Sequence, residues 1–202
     1  MKRRNSKNSK TALRRKEIIQ AALACFTERG FSETSLADIR RRSKASTGSI
    51  YHHFKSKEQL AAQVYLEGIH DYQAGFLATL EQQQRARSGI VAVIEYHLRW
   101  VEGHPDWARF LFQKRRAEFM DTTNDDFDRL NKEFIGRAAA WFRHHIKAGS
   151  LRPLAPDVFI SILLGPCQEF SRQYLSGYAR SALDQAIHEL ARAAWRALGV
   201  SR

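Results

Sequence analysis

The sequence predicts an all-α protein with a small basic three-helix head and a larger helical part behind it. Three observations carry that prediction. Apolar residues recur at steps of three or four, with no alternating Val/Ile/Thr runs. Only four prolines occur in 202 residues, while Ala, Leu, Arg, Glu and Gln recur throughout. The charge is lopsided: of a net +12, residues 1–60 hold +10, from 15 Lys and Arg against 5 Asp and Glu. The remaining residues balance at 18 against 16.

Residues 1–10 are polar and basic without apolar periodicity, and a flexible arm is expected there. A first helix follows from about Thr11 to Arg29, its stripe being Ile18, Ile19, Ala22, Leu23 and Phe26. Gly30 supplies its stop. "FSETS" is a loop ending in a capping residue, Ser35, and opens a short helix with Leu36 and Ile39 inward and Arg40, Arg41 and Arg42 outward. "SKAST" breaks the pattern. A second short helix runs to about Phe54, with Ile50 and Phe54 as its apolar pair. Ser56 then sits at an N-cap position with Gln59 three residues on.

Beyond residue 60 the predicted helices lengthen. One spans about Lys57 to Arg85, another Ser88 to Gly103, and Pro105 suits the first turn of a third. Phe127, Leu130, Phe134, Ala138, Trp141 and His145 then share one face until Gly149. Pro156-Asp157 starts a further helix, interrupted at Gly165-Pro166, where a kink is expected because proline removes a ladder hydrogen bond. Ser181 is the expected cap of the last helix, whose stripe is Leu183, Ile187, Leu190, Ala194 and Leu198. The domain division is therefore an arm (1–10), a helix-turn-helix (11–56) and a helical remainder (57–202).

The basic head calls for a polyanion, either nucleic acid or an anionic membrane surface. Residues 2–10 lack the apolar anchors that membrane attachment needs, which favours nucleic acid. No apolar run approaches the roughly 20 residues of a membrane span, and no apolar segment follows the basic start as in a secretory signal. A cytoplasmic location is expected. Cys25 and Cys167 lie in apolar contexts and suit a core rather than a disulfide or a zinc pair. Catalytic signatures are missing: the sequence has no Gly-rich phosphate loop, HExxH, GxSxG or paired carboxylate constellation. Asp125 and Asp126 suit a helix start. Neither an enzyme nor a cofactor is expected.

The stretch "STGSIYHHF" (residues 46–54) concentrates the chemistry of the head. His52 and His53 are helix neighbours about 100° apart, so they do not share a metal. Ser46, Thr47 and Ser49 set hydroxyls beside free N–H groups at a helix start, a pattern that suits phosphate. Gly48 lets a nucleic-acid backbone come close. Tyr51 and His52 project donors toward phosphates or base edges, and Lys57 adds a point charge. Short helices joined by a tight turn describe a helix-turn-helix.

With these residues in place, "LADIRRRSKASTGSIYHHFKSKEQL" resembles the DNA-binding domain of the TetR family of transcriptional regulators, and the similarity runs from Thr11 to about Val64. The resemblance implies DNA contacts at Ser35, Ser46, Thr47, Ser49, Tyr51, His52 and Lys57, with Ile50 and Phe54 in the core. One departure stands out: Lys44 occupies the turn where the family usually has glycine. A left-handed backbone there costs a non-glycine residue roughly 1 kcal/mol, so either the turn differs slightly or the strain is tolerated because the lysine reaches a phosphate.

A helix-turn-helix reaches two half-sites as a two-fold pair, so a homodimer on a palindromic double-stranded operator is expected. The last two helices are the expected interface, through Phe159, Phe170 and Tyr174 on one and Leu183, Leu190 and Trp195 on the other. The middle of the chain is rich in aromatics with some polar groups, a composition that suits a small-molecule pocket. His97, Trp100, Phe110, Phe134, Trp141 and Glu169 are its candidate lining, with Phe119, Arg116 and His145 nearby in sequence. The resemblance implies that an effector bound there releases the operator, as in a repressor. The alternative is a DNA-binding protein that acts constitutively or through a partner protein, with no effector.

Overall fold

A computed structural model describes residues 2–112 and 124–200. Among these residues are nine helices: α1 (Lys2–Arg29), α2 (Leu36–Ser43), α3 (Thr47–His53), α4 (Lys57–Glu81), α5 (Ala86–Gly103), α6 (Pro105–Phe112), α7 (Asn124–Lys147), α8 (Pro156–Leu175) and α9 (Leu183–Leu198). The all-α expectation holds. The chain forms two compact units, Met1–Ile69 with Asp106–Asp128, and His70–Pro105 with Arg129–Arg202.

In the first unit, α1 supplies Ile18, Ile19, Ala22 and Phe26, all fully buried. Ile39 of α2, Ile50 of α3, Phe54 and Leu60 of α4 close on them. Phe110 of α6 joins the same core, its ring stacked on Phe26 at 5.7 Å between centroids. The Arg15 guanidinium lies 5.6 Å from the Phe54 ring centroid and donates to Gln63 Oε1 at 2.8 Å and to Glu67. Helix α1 starts earlier than the expected Thr11 and takes in the residues assigned to an arm. Lys, Arg and Ser carry little helix penalty, and no Gly or Pro separates them from the anchored stripe.

The second unit is built on α5, α8 and α9, with Phe76 and Leu80 from α4 and Phe142 from α7. Leu151 pairs with Gly199 in an isolated bridge, and the Arg152 N–H donates to the Leu198 carbonyl at 2.9 Å, tying down the end of α9. Cys25 and Cys167 are buried free thiols, as expected.

Two local expectations are corrected. Helix α8 runs unbroken from Pro156 to Leu175 through Pro166. The missing N–H removes one ladder bond, and the neighbouring Leu163, Leu164 and Cys167 keep the helix packed in the core. Ser181 does not cap α9: Ala182 holds the N-cap position without a side-chain hydrogen bond.

Candidate nucleic-acid interface

Helix α2 is set by a reciprocal cap. The Asp38 N–H donates to Ser35 Oγ at 3.2 Å, and the Ser35 N–H donates back to Asp38 Oδ2 at 3.0 Å. The Ser35 hydroxyl also donates to Asp38 Oδ2, at 2.6 Å. Both donors of Ser35 are therefore held by Asp38, and neither points at a partner outside the protein. These bonds, with Arg29 and Arg41 alongside, hold the Asp38 carboxyl below its usual range.

The helix ends at Lys44, which takes the left-handed conformation (φ 52°, ψ 25°). No other non-glycine residue among those described has a positive φ. The left-handed turn inferred from the family's glycine is present, with a lysine in it.

Ser46 caps α3 by accepting the Ser49 N–H at 3.1 Å, which leaves its own O–H free to donate outward. The C-terminal end closes when the Phe54 N–H reaches the Ile50 carbonyl at 2.8 Å. Ile50 and Phe54 point into the core, so the opposite face carries Ser46, Thr47, Gly48, Tyr51 and His52, all exposed. Ser49 is half-buried. Tyr51, 54% exposed, holds a large ring in solvent. A Cβ placed on Gly48 would meet nothing within 4 Å, and its φ is not positive, so nothing inside the protein requires glycine there.

His53 is half-buried, its ring 5.1 Å from that of His52 and edge-on to it. Burial, then the neighbouring His52, pushes its imidazole pKa down. Among the described residues no group of three or more His, Cys, Asp or Glu could hold a metal ion.

Lys57, expected as a DNA contact, also has partners within the protein. Its ammonium donates to the Phe31 carbonyl at 2.9 Å and lies 4.3 Å from the Phe31 ring centroid. It fastens the start of α4 to the loop before α2. At that start, Gln59 N–H donates to Ser56 Oγ at 3.1 Å while the Gln59 side chain accepts from the Lys55 N–H at 2.6 Å.

Arg40, Arg41 and Arg42, read from sequence as one outward face, divide in the structure. Arg41 pairs with Asp38, and Arg42 pairs with Glu28 at 2.6 Å. Arg40 instead lines a groove between α2 and α3 with Leu36, Ala37, Thr47, Ile50 and Tyr51. The i,i+3 spacing of Asp38 and Arg41 is visible in sequence, whereas the pairing of Arg42 with Glu28 depends on how α2 packs on α1.

The proposed effector lining is brought together only in part. The Tyr72 hydroxyl lies 2.8 Å from Nδ1 of His97, whose Nε2 is 3.4 Å from Ser171 Oγ. Trp100 donates from Nε1 to Asp71 at 2.9 Å and its ring meets Tyr72 edge-on at 5.2 Å. Phe134 meets Phe76 at 5.4 Å, and Phe76 touches Tyr72 in turn. Trp141 stands apart from that cluster, on Gly89 and His145, with Nε1 donating to the Gln83 carbonyl at 3.0 Å. Two expected members lie elsewhere. Phe110 belongs to the core of the first unit through Phe26, and Glu169 is exposed on α8, bonded to Arg172 and Gln173 one turn on. Those bonds hold its carboxyl down at about 2. Arg116 and Phe119 lie outside the described residues.

Of the expected interface residues, Phe159 and Leu183 turn into the core of their own unit. Phe170, Tyr174, Leu190 and Trp195 are half-buried, and Val158 and Ile160 are the exposed apolar side chains of α8, at 45% and 44%.

No helix among the described residues is long and apolar enough to cross a membrane. The family model for bacterial regulatory proteins of the tetR family matches residues 18–64, the stretch that holds α2, α3 and their supports. The transcriptional repressor DhaR of Mycobacterium sp. (strain GP1) is 33% identical over 179 residues, covering 86% of this chain and 88% of that protein. The transcriptional repressor KstR2 of Mycolicibacterium smegmatis is 28% identical over 152 residues, covering 72% and 71%. A TetR family regulator from Marinobacter aquaeolei shares the fold with a TM-score of 0.75 at 18% identity over both whole chains. FadR of Bacillus subtilis, solved with stearoyl-CoA, does so with a TM-score of 0.73 at 17% identity, over 88% of this chain and 96% of that one.

Proposed function

We propose, from the premise that the chain belongs to the TetR family of DNA-binding bacterial regulators, that it is a homodimeric repressor of a palindromic operator. The observation that carries this reading is the outer face of α3. Hydroxyls, a tyrosine and a histidine stand exposed there around a glycine that the protein's own packing does not require. Ser46, Thr47, Ser49, Tyr51 and His52 are the proposed contacts, Gly48 the point of closest approach and Lys44 a phosphate contact. The likeness to DhaR, a repressor over nearly its whole length, supports repression over activation.

Dimerisation is proposed through α8 and α9, where Phe170, Tyr174, Leu190 and Trp195 are half-buried. A small-molecule effector is proposed to act on the second unit around His97, Trp100 and Phe134. By favouring a conformation whose two heads no longer match the half-sites, it releases the operator. A second reading, regulation without an effector, is favoured by one observation: the polar atoms of His97, Trp100 and Trp141 all have partners within the protein. Thermal-shift screening separates the two, since a bound effector gives saturable stabilisation.

Selection of bound DNA from a random pool by the full-length protein tests the central claim. Enrichment of a palindrome is the expected result. Failure to enrich any sequence overturns the reading.

A further inference from the structure

We infer that Arg40 is a phosphate-binding residue of the head, set between α2 and α3 beside Tyr51; this rests on the DNA-binding reading above. Three consecutive arginines leave α2, and helix geometry turns each about 100° from the last. Arg42 turns toward α1 and is neutralised by Glu28 at 2.6 Å. Arg41 is neutralised by Asp38, which also holds Arg29 of α1 at 3.1 Å. Arg40 turns the other way, toward α3, and its guanidinium has no hydrogen bond or ion pair among the described residues.

Its surroundings distinguish it from an ordinary solvated arginine. The groove it lines contains no carboxylate: its polar side chains are Arg40, Thr47 and Tyr51, and its floor is Ile50. Among the described residues neither the Thr47 nor the Tyr51 hydroxyl has a hydrogen-bond partner, so all three polar side chains offer unused donors toward one space. The neighbouring groove on the α1 side mixes Glu28 and Asp38 with Arg29, Arg41 and Arg42, and its charges satisfy one another. A site with several donors and no acceptor partner suits an oxyanion with several acceptors, and a guanidinium meets phosphate oxygens in pairs. Because the first helix of a helix-turn-helix crosses the backbone while the second enters the groove, Arg40 on α2 reaches phosphate rather than a base edge.

The test uses the full-length protein and the duplex that wild type enriches from random sequence. Affinity is measured against salt concentration for wild type, Arg40→Ala, Arg40→Gln and Arg41→Ala. Each protomer of the proposed dimer loses one phosphate contact, so the log–log salt slope should flatten by about two and binding should weaken by at least about tenfold near 0.1 M salt. Both Arg40 variants should do this with unchanged thermal midpoints and unchanged sequence preference, while Arg41→Ala keeps the wild-type slope. Arg40 variants that bind the enriched duplex with wild-type affinity and slope overturn the inference and leave the DNA-binding reading standing. Relaxed preference at one base position without a change of slope also overturns it, in favour of base readout. A wild-type protein that enriches nothing overturns the DNA-binding reading itself, and this inference with it.

Discussion

The hydroxyl of Tyr72 meets Nδ1 of His97 at 2.8 Å, in a core where the histidine is 1% exposed. Burial holds this imidazole neutral and pushes its pKa down to about 4, against 6.5 for a free ring. Between those values the unfolded chain binds more protons than the folded one, so the stability is fully present above 6.5 and is lost as pH falls toward 4. The full difference is on the order of 3 kcal/mol. Urea midpoints between pH 7 and pH 4.5 should therefore fall steeply for wild type and less steeply for His97→Gln. His145, shifted in the same direction by burial, supplies part of the slope that remains. Equal slopes in the two proteins would place the acid sensitivity elsewhere.

Lys44 pulls stability and binding in opposite directions. Its φ of 52° costs an L-residue with a Cβ roughly 1 kcal/mol, which glycine avoids. Lys44→Gly should raise the thermal midpoint by several degrees and weaken operator binding through the lost cation. A midpoint equal to wild type would show that the turn is not strained.

The helix count and the exposed face of α3 were legible in sequence because each rests on local pattern, whereas the left-handed turn at Lys44 followed only from the resemblance to a family with glycine there. A 3.6-residue stripe fixes which face is buried, and Ile50 and Phe54 then fix the direction of Tyr51. What could not be read depends on contacts between distant residues. Phe110 looks like any other aromatic of the middle region until Phe26 is found stacked on it. Phe159 and Leu183 sit on broad apolar stripes, and spacing does not say which side of a stripe meets its own core. The same holds for Lys57, whose partner is a carbonyl far back in the chain.

Ser35 and Tyr51 should separate a structural hydroxyl from a binding one. Ser35→Ala removes the reciprocal cap with Asp38 and should cost about 1 kcal/mol in chemical denaturation. At temperatures where the variant stays folded, its operator affinity should remain within about twofold of wild type, less than the roughly 0.5 kcal/mol that marks a distant change. Tyr51→Phe removes a hydroxyl with no partner among the described residues, so its stability should match wild type while its operator affinity falls at least about tenfold, the scale of one lost hydrogen bond to a charged group, with two lost per dimer. Reversed outcomes would exchange the two roles.

Gly48 offers the sharpest separation of folding from binding. It lies within α3, its φ is not positive, and no atom stands within 4 Å of where a Cβ would go. Alanine is the better helix former by up to about 1 kcal/mol, so Gly48→Ala should hold or raise the thermal midpoint. The added methyl group projects from the face that carries Thr47 and Tyr51, into space that only a partner can occupy. If that partner is a closely seated DNA backbone, the methyl group displaces it, and operator affinity should fall at least tenfold, measured by gel shift or fluorescence anisotropy. The same substitution would leave binding untouched if DNA approached α3 elsewhere, and Gly48→Ala binding as tightly as wild type would remove Gly48 from the interface.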